Sequence, residues 1–124
     1  NLSGKSVAAI ASFYKIPTNK IFVAHDELDL LPGTARFKKG GGHGGHNGLR
    51  DTVQCLGNNK DFARLRIGIG HPGNAKQVAD YVLKKAPIKE QELINHSIDD
   101  ALRYLPLAVS GQWERAMTAL HSAE

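Results

Sequence analysis

The chain has 124 residues, 41% of them hydrophobic and 23% charged, a balance that excludes an intrinsically disordered protein. No apolar run approaches the ~20 residues of a membrane-spanning helix, no basic-then-apolar leader opens the chain, and the single cysteine, Cys55, excludes an internal disulfide framework and suits a reducing compartment. The net charge of +4 is unevenly spread: residues 1–31 carry zero, residues 32–85 carry +7 and residues 86–124 carry −3.

The length suits one domain. Ser3 is a candidate N-cap, and Val7, Ile10, Ala11 and Tyr14 follow at helical spacing until Pro17 stops the helix. Residues 21–25 read as a short buried strand with Asp26 at its C-terminal end, where open α/β sheets put their ligand sites. Leu31-Pro32-Gly33 is a turn, and residues 34–38 alternate as a second strand whose Arg36 and Lys38 share a face. Residues 40–48 read GGGHGGHNG, after which Leu49, Val53 and Leu56 mark one face of a short helix ended by Gly57. Cys55, between apolar neighbours, reads as a small core residue. Residues 64–70 (RLRIGIG) form a third strand. A long amphipathic helix over residues 90–109 faces the core with Leu93, Ile94, Ile98, Ala101, Leu102 and Leu105, and Pro106 kinks or ends it. Residues 112–121 make a last helix with Trp113, Met117 and Leu120 inward. Strands interleaved with helices imply an α/β fold.

Six glycines in nine residues lose much backbone entropy on ordering, so a folded protein gains something by keeping them. Glycines admit close approach of a ligand, their N–H groups can form an anion-binding nest, and Asn47 is a candidate cap for the helix that follows. The segment lacks the GK[ST] of a phosphate-binding Walker loop and the spacing of a dinucleotide fingerprint. A flexible surface loop is the plain alternative, as a solvated basic surface is for the charge. His43 and His46, with His25 and Asp26, are proper ligand types for zinc, although His-x-x-His in a glycine loop lacks the helical frame of a zinc hydrolase. An aspartate at a strand end also suits the task of orienting a histidine.

Together these motifs resemble the bacterial peptidyl-tRNA hydrolases. The resemblance rests on Asn1-Leu2-Ser3-Gly4-Lys5, on VAHDELDL at residues 23–30, on the basic strand leading into GGGHGGHNGL, and on RLRIGIGHPG at residues 64–73, and it extends over essentially the whole chain. It implies a single α/β domain with a twisted mixed sheet flanked by helices and with C-terminal helices, cytoplasmic and monomeric. The implied reaction is metal-free hydrolysis of the ester between a peptide and the 3′ ribose of tRNA. By the same resemblance Asp26 matches the aspartate that holds the catalytic histidine in its basic form, and Asn47 the asparagine that contacts substrate and helps fix water or oxyanion. Asn1 matches the residue that binds the peptidyl end, and His46 a histidine lining the cleft. Lys38, with Arg36 where the family often has lysine, falls on the basic pair that grips tRNA phosphate, and Arg66 on a further tRNA contact.

The family's base is a histidine in an Arg-His-Asn segment located before the position of Asn1. None of the six histidines here (His25, His43, His46, His71, His96 and His121) stands in that context. The resemblance therefore implies that the 124 residues are roughly the last two-thirds of such an enzyme and are inactive alone. A non-catalytic RNA-binding module is the second reading, and a zinc-dependent hydrolase built on His43 and His46 the third.

Overall fold

The computed structural model describes Gly4, Ala8, Ala9 and residues 17–44, 46–71 and 87–122. The first predicted helix lies largely outside these residues; Gly4, Ala8 and Ala9 are helical. A short 3-10 turn, Thr18–Lys20, leads into strand β1, Phe22–Glu27, and strand β2 follows at Ala35–Lys39. Helix α1 spans Asn47–Cys55, strand β3 Ala63–Gly68, helix α2 Ile88–Val109 and helix α3 Trp113–Ser122. The fold is α/β, as the interleaved pattern implies.

Among the described residues the sheet order is β1-β3-β2, with β3 between the other two. Ala63 N–H donates to Ile21 O at 3.0 Å and Ile69 N–H to Glu27 O at 3.0 Å, the same offset at both ends, which makes β1 and β3 parallel. Gly40 N–H donates to Phe62 O and Gly68 N–H to Thr34 O, numbers running in opposite senses, so β3 and β2 are antiparallel. The sheet is mixed.

The described chain forms two compact units, Asn1–His25 with Lys38–Arg64, and Asp26–Phe37 with Leu65–Glu124. In the first unit, α1 buries Gly48, Leu49 and Thr52, and the Thr52 hydroxyl donates to Gly48 O at 2.8 Å. Val53 and Leu56 are half-buried. Cys55 is exposed rather than a core residue, because the inward face of α1 runs through Leu49 and Thr52 and turns position 55 to solvent. Gly4 is buried, and its N–H donates to the Asp51 carboxylate on α1 at 2.7 Å.

In the second unit, the Leu31-Pro32-Gly33 turn closes through Thr34 N–H to Leu31 O at 3.0 Å, with Gly33 at φ 100°. Proline and then a left-handed glycine are what a type II turn requires at those positions. On β2, Ala35 and Phe37 are buried while Arg36 and Lys38 are half-buried, the expected alternation. The Phe37 ring meets Trp113, centroids 5.6 Å apart, at the start of α3. Helix α2 packs against α3, which buries Ala116 and Leu120. Of the expected inward face of α2, Ala101 is buried and Ile94, Ile98 and Leu105 are half-buried, whereas Leu93 and Leu102 are 49% and 58% exposed; Ser97 and Ala108 are the further buried positions. Pro106 stays inside α2, which runs on to Val109. No described helix is long and apolar enough to cross a membrane.

Candidate functional site

The glycine-rich loop follows directly from β2 and ends at α1. Its first tie is a sheet bond, Gly40 N–H to Phe62 O at 3.0 Å. Its second is Arg64 on β3, which is 1% exposed. Arg64 Nη1 donates to Gly42 O at 2.5 Å, and Nη2 donates to Gly41 O at 2.5 Å and to Lys60 O at 3.2 Å. The guanidinium carbon also lies 4.4 Å from the centre of the Phe62 ring. Burying a cation is costly unless its donors are satisfied, and here carbonyl dipoles and an aromatic face supply that compensation. A planar fork of donors suits two successive carbonyls in a way that a lysine ammonium does not.

Gly41 lies at the centre of this arrangement. Its φ is 99°, in the left-handed region, and a Cβ there would stand 2.9 Å from both Cε and Nζ of Lys38. The Lys38 side chain therefore lies close over Gly41 while Arg64 holds the Gly41 carbonyl.

At its far end the loop turns through His46 N–H to His43 O at 2.9 Å and starts α1. His46, with extended backbone (φ −72°, ψ 117°), is the N-cap: its Nδ1 accepts from Leu49 N–H at 3.1 Å, and its carbonyl accepts from Arg50 N–H at 3.0 Å. This corrects the expectation that Asn47 caps α1. Asn47 is the first helical residue, exposed at the helix start. The cap bond also assigns the imidazole tautomer. With Nδ1 accepting, the neutral ring carries its proton on Nε2 and presents a donor there. The His46 ring meets His25, 8% exposed on β1, edge-on at 5.1 Å between centroids.

Lys38, His46 and Asn47 thus sit on one continuous stretch, β2–loop–α1, within the first unit. Asp26, half-buried near the end of β1, belongs to the second unit with Arg36 on β2 and Arg66 on β3, both half-buried. Strand β1 runs one residue past Asp26, to Glu27. Asn1 lies outside the described residues. The outer side of the loop forms a pocket of about 460 Å³ with the turn after α1, lined by Gly42, His43, Gly44, Val53, Asn58 and Lys60. Among the described residues, no group of three His, Cys, Asp or Glu side chains could hold a metal ion. In the sequence Arg64 reads as one more cation of the basic segment and as the first residue of the RLRIGIG strand. The signal for its burial is an arginine among Phe62, Ala63 and Leu65, on a strand that follows a loop rich in backbone carbonyls and poor in side chains.

A family model described as peptidyl-tRNA hydrolase matches residues 1–124. The chain is 62% identical over 122 residues to the peptidyl-tRNA hydrolase of Vibrio campbellii, a match covering 98% of this chain and 62% of that protein. With the peptidyl-tRNA hydrolase of Teredinibacter turnerae it shares 63% identity over 123 residues, 99% of this chain and 64% of the relative. The crystal structure of peptidyl-tRNA hydrolase from Acinetobacter baumannii superimposes with a TM-score of 0.92 at 51% identity, over 97% of this chain and 60% of that one. The chain spans a little over three-fifths of the length of the relatives it matches. It belongs to the peptidyl-tRNA hydrolase family.

Proposed function

We propose that this chain supplies the tRNA grip and the substrate-orienting groups of an enzyme that hydrolyses the ester between a peptide and the 3′ ribose of tRNA. Such a reaction at neutral pH needs a base to take a proton from water, a partner that orients the base, and donors for the oxyanion that forms as water adds to the carbonyl. Collapse of that intermediate releases the peptide acid, and the departing ribose oxygen takes up a proton. In this reading Asp26 orients the base histidine, and Asn47 donates through its side-chain amide to the attacking water or the oxyanion. His46 contacts substrate through Nε2–H, and Asn1 binds the peptidyl end. Arg36, Lys38 and Arg66 hold tRNA phosphate. The base is not one of the six histidines of this sequence. The same reading takes the 124 residues as one hydrolase-like domain of a metal-free, cytoplasmic, monomeric enzyme.

The observation that carries the proposal is the anchored glycine loop, which presents His46 and Asn47 side by side at the start of a helix. A loose loop could not hold donors for an oxyanion, whose stabilisation depends on donors fixed before the reaction. The test is Asp26→Asn in the full-length natural protein. Turnover of peptidyl-tRNA falls by on the order of 10²-fold or more while tRNA affinity stays within about twofold, as expected when the partner of a base is lost. Unchanged turnover refutes the role of Asp26. The 124-residue chain assayed alone gives little or no cleavage; robust cleavage abolished by His46→Ala would make His46 the base.

A further inference from the structure

We propose that Arg64 is a positioning residue for the proposed hydrolase, setting the glycine loop through Gly41 and Gly42 and thereby the placement of Lys38, His46 and Asn47. The proposal rests on the functional reading above, but its structural part can be tested independently. Arg64 is almost fully buried, so its charge is withdrawn from any solvent-borne ligand. Its donors go to two consecutive loop carbonyls and to Lys60 O, three acceptors that come from both sides of α1 in the chain. Phe62 beneath the guanidinium also receives the Gly40 N–H on its own carbonyl, so strand and loop are joined at three successive glycines, 40, 41 and 42.

The loop needs such a device because glycines resist ordering more than any other residue and offer no side chains to pack. A surface cation would serve less well, since water would compete for its donors. The coupling to function runs in two directions. Toward β2, the held Gly41 lies under the Lys38 side chain. Toward α1, the loop leads through His43 to the His46 cap, with His43 O accepting the His46 N–H. Loosening Gly41 and Gly42 therefore misplaces groups at both ends without removing any of them.

The experiment is Arg64→Lys, with Arg64→Met beside it, in the full-length natural protein. Lysine keeps the charge and loses the fork. For the folded Lys variant, kcat falls by on the order of tenfold or more, as small displacements of positioned groups do. Amide exchange across residues 40–46 becomes at least about tenfold faster than in wild type, and that across α2 does not change. Wild-type kcat in a folded Lys variant overturns the proposal. A lower melting temperature with unchanged kcat and unchanged loop exchange reduces Arg64 to a structural residue, also against the proposal. If the wild-type protein turns over no peptidyl-tRNA, the functional reading fails, and the exchange measurement still decides the clamp. Should neither variant fold, slowly exchanging Nη–H resonances of Arg64 in the wild-type protein support the clamp, and their averaging with solvent refutes it.

Discussion

Replacing His46 with alanine removes the acceptor that takes the Leu49 N–H at 3.1 Å and opens the first turn of α1. Loss of a side-chain N-cap costs about 1 kcal/mol, within a range of roughly 0.5–2. For a chain of 124 residues, an unfolding entropy of about 2 cal/mol/K per residue turns each kcal/mol into about 4 °C of Tm. His46→Ala therefore lowers Tm by about 4 °C, and somewhat more if the edge-on contact with His25 also contributes. His46→Asn is the informative companion, because asparagine is a strong N-cap and has no imidazole. It recovers most of the Tm, yet in the full-length natural protein turnover of peptidyl-tRNA stays low if His46 supplies the proposed Nε2–H donor. Thermal unfolding of the two variants of this chain, with steady-state kinetics on the same substitutions in the full-length natural protein, separates the roles. An unchanged Tm in His46→Ala refutes the cap; wild-type turnover in His46→Asn refutes the donor.

Two further outcomes are expected. Gly68→Ala puts a Cβ 2.2 Å from Leu31 O and 2.8 Å from Leu30 O, backbone atoms that cannot rotate away; these carbonyls also accept from Thr34 and Gly70 N–H. Overpacking of this kind costs about 3 kcal/mol or more, read as a lower urea midpoint, and a midpoint within experimental error of wild type contradicts the close approach. Lys38→Ala lowers the salt slope of tRNA binding by about one and leaves unfolding unaffected; an unchanged slope removes Lys38 from the phosphate contacts.

Much of the fold is legible wherever a single residue's local chemistry decides the outcome. Pro32 and Gly33 specify their turn, and the alternation at Ala35, Arg36, Phe37 and Lys38 matches the strand that forms. Three features depend on tertiary partners instead. Statistical preference favours Asn47 as the cap, but the turn from His43 to His46 brings the imidazole one position earlier within reach of Leu49 N–H. Charge counting treats each arginine as a surface group, whereas Arg64 is drawn inward by backbone carbonyls that leave no mark on composition. Along α2 the hydrophobic period places Ala101, Ile94, Ile98 and Leu105 inward as they are, but it also includes Leu93 and Leu102, which are exposed, and passes over Ser97, which is buried. Of the candidate site, the motif residues are legible in the sequence. The device that holds their loop is not.

The strand order also governs when the molecule can become itself. Strands β1 and β2 are joined by a short connection, yet neither neighbours the other; each waits for β3, encoded after the loop and α1. No hairpin of β1 and β2 can therefore act as an early native template, and loop-closure entropy must be met before the middle strand gains its two partners. During synthesis these three strands stay incompletely paired until Gly68 has left the ribosome. Arg64 travels on that last strand. The glycine loop, made earlier in the chain, is consequently locked only once β3 is in place, and the candidate site takes shape only as these strands pair.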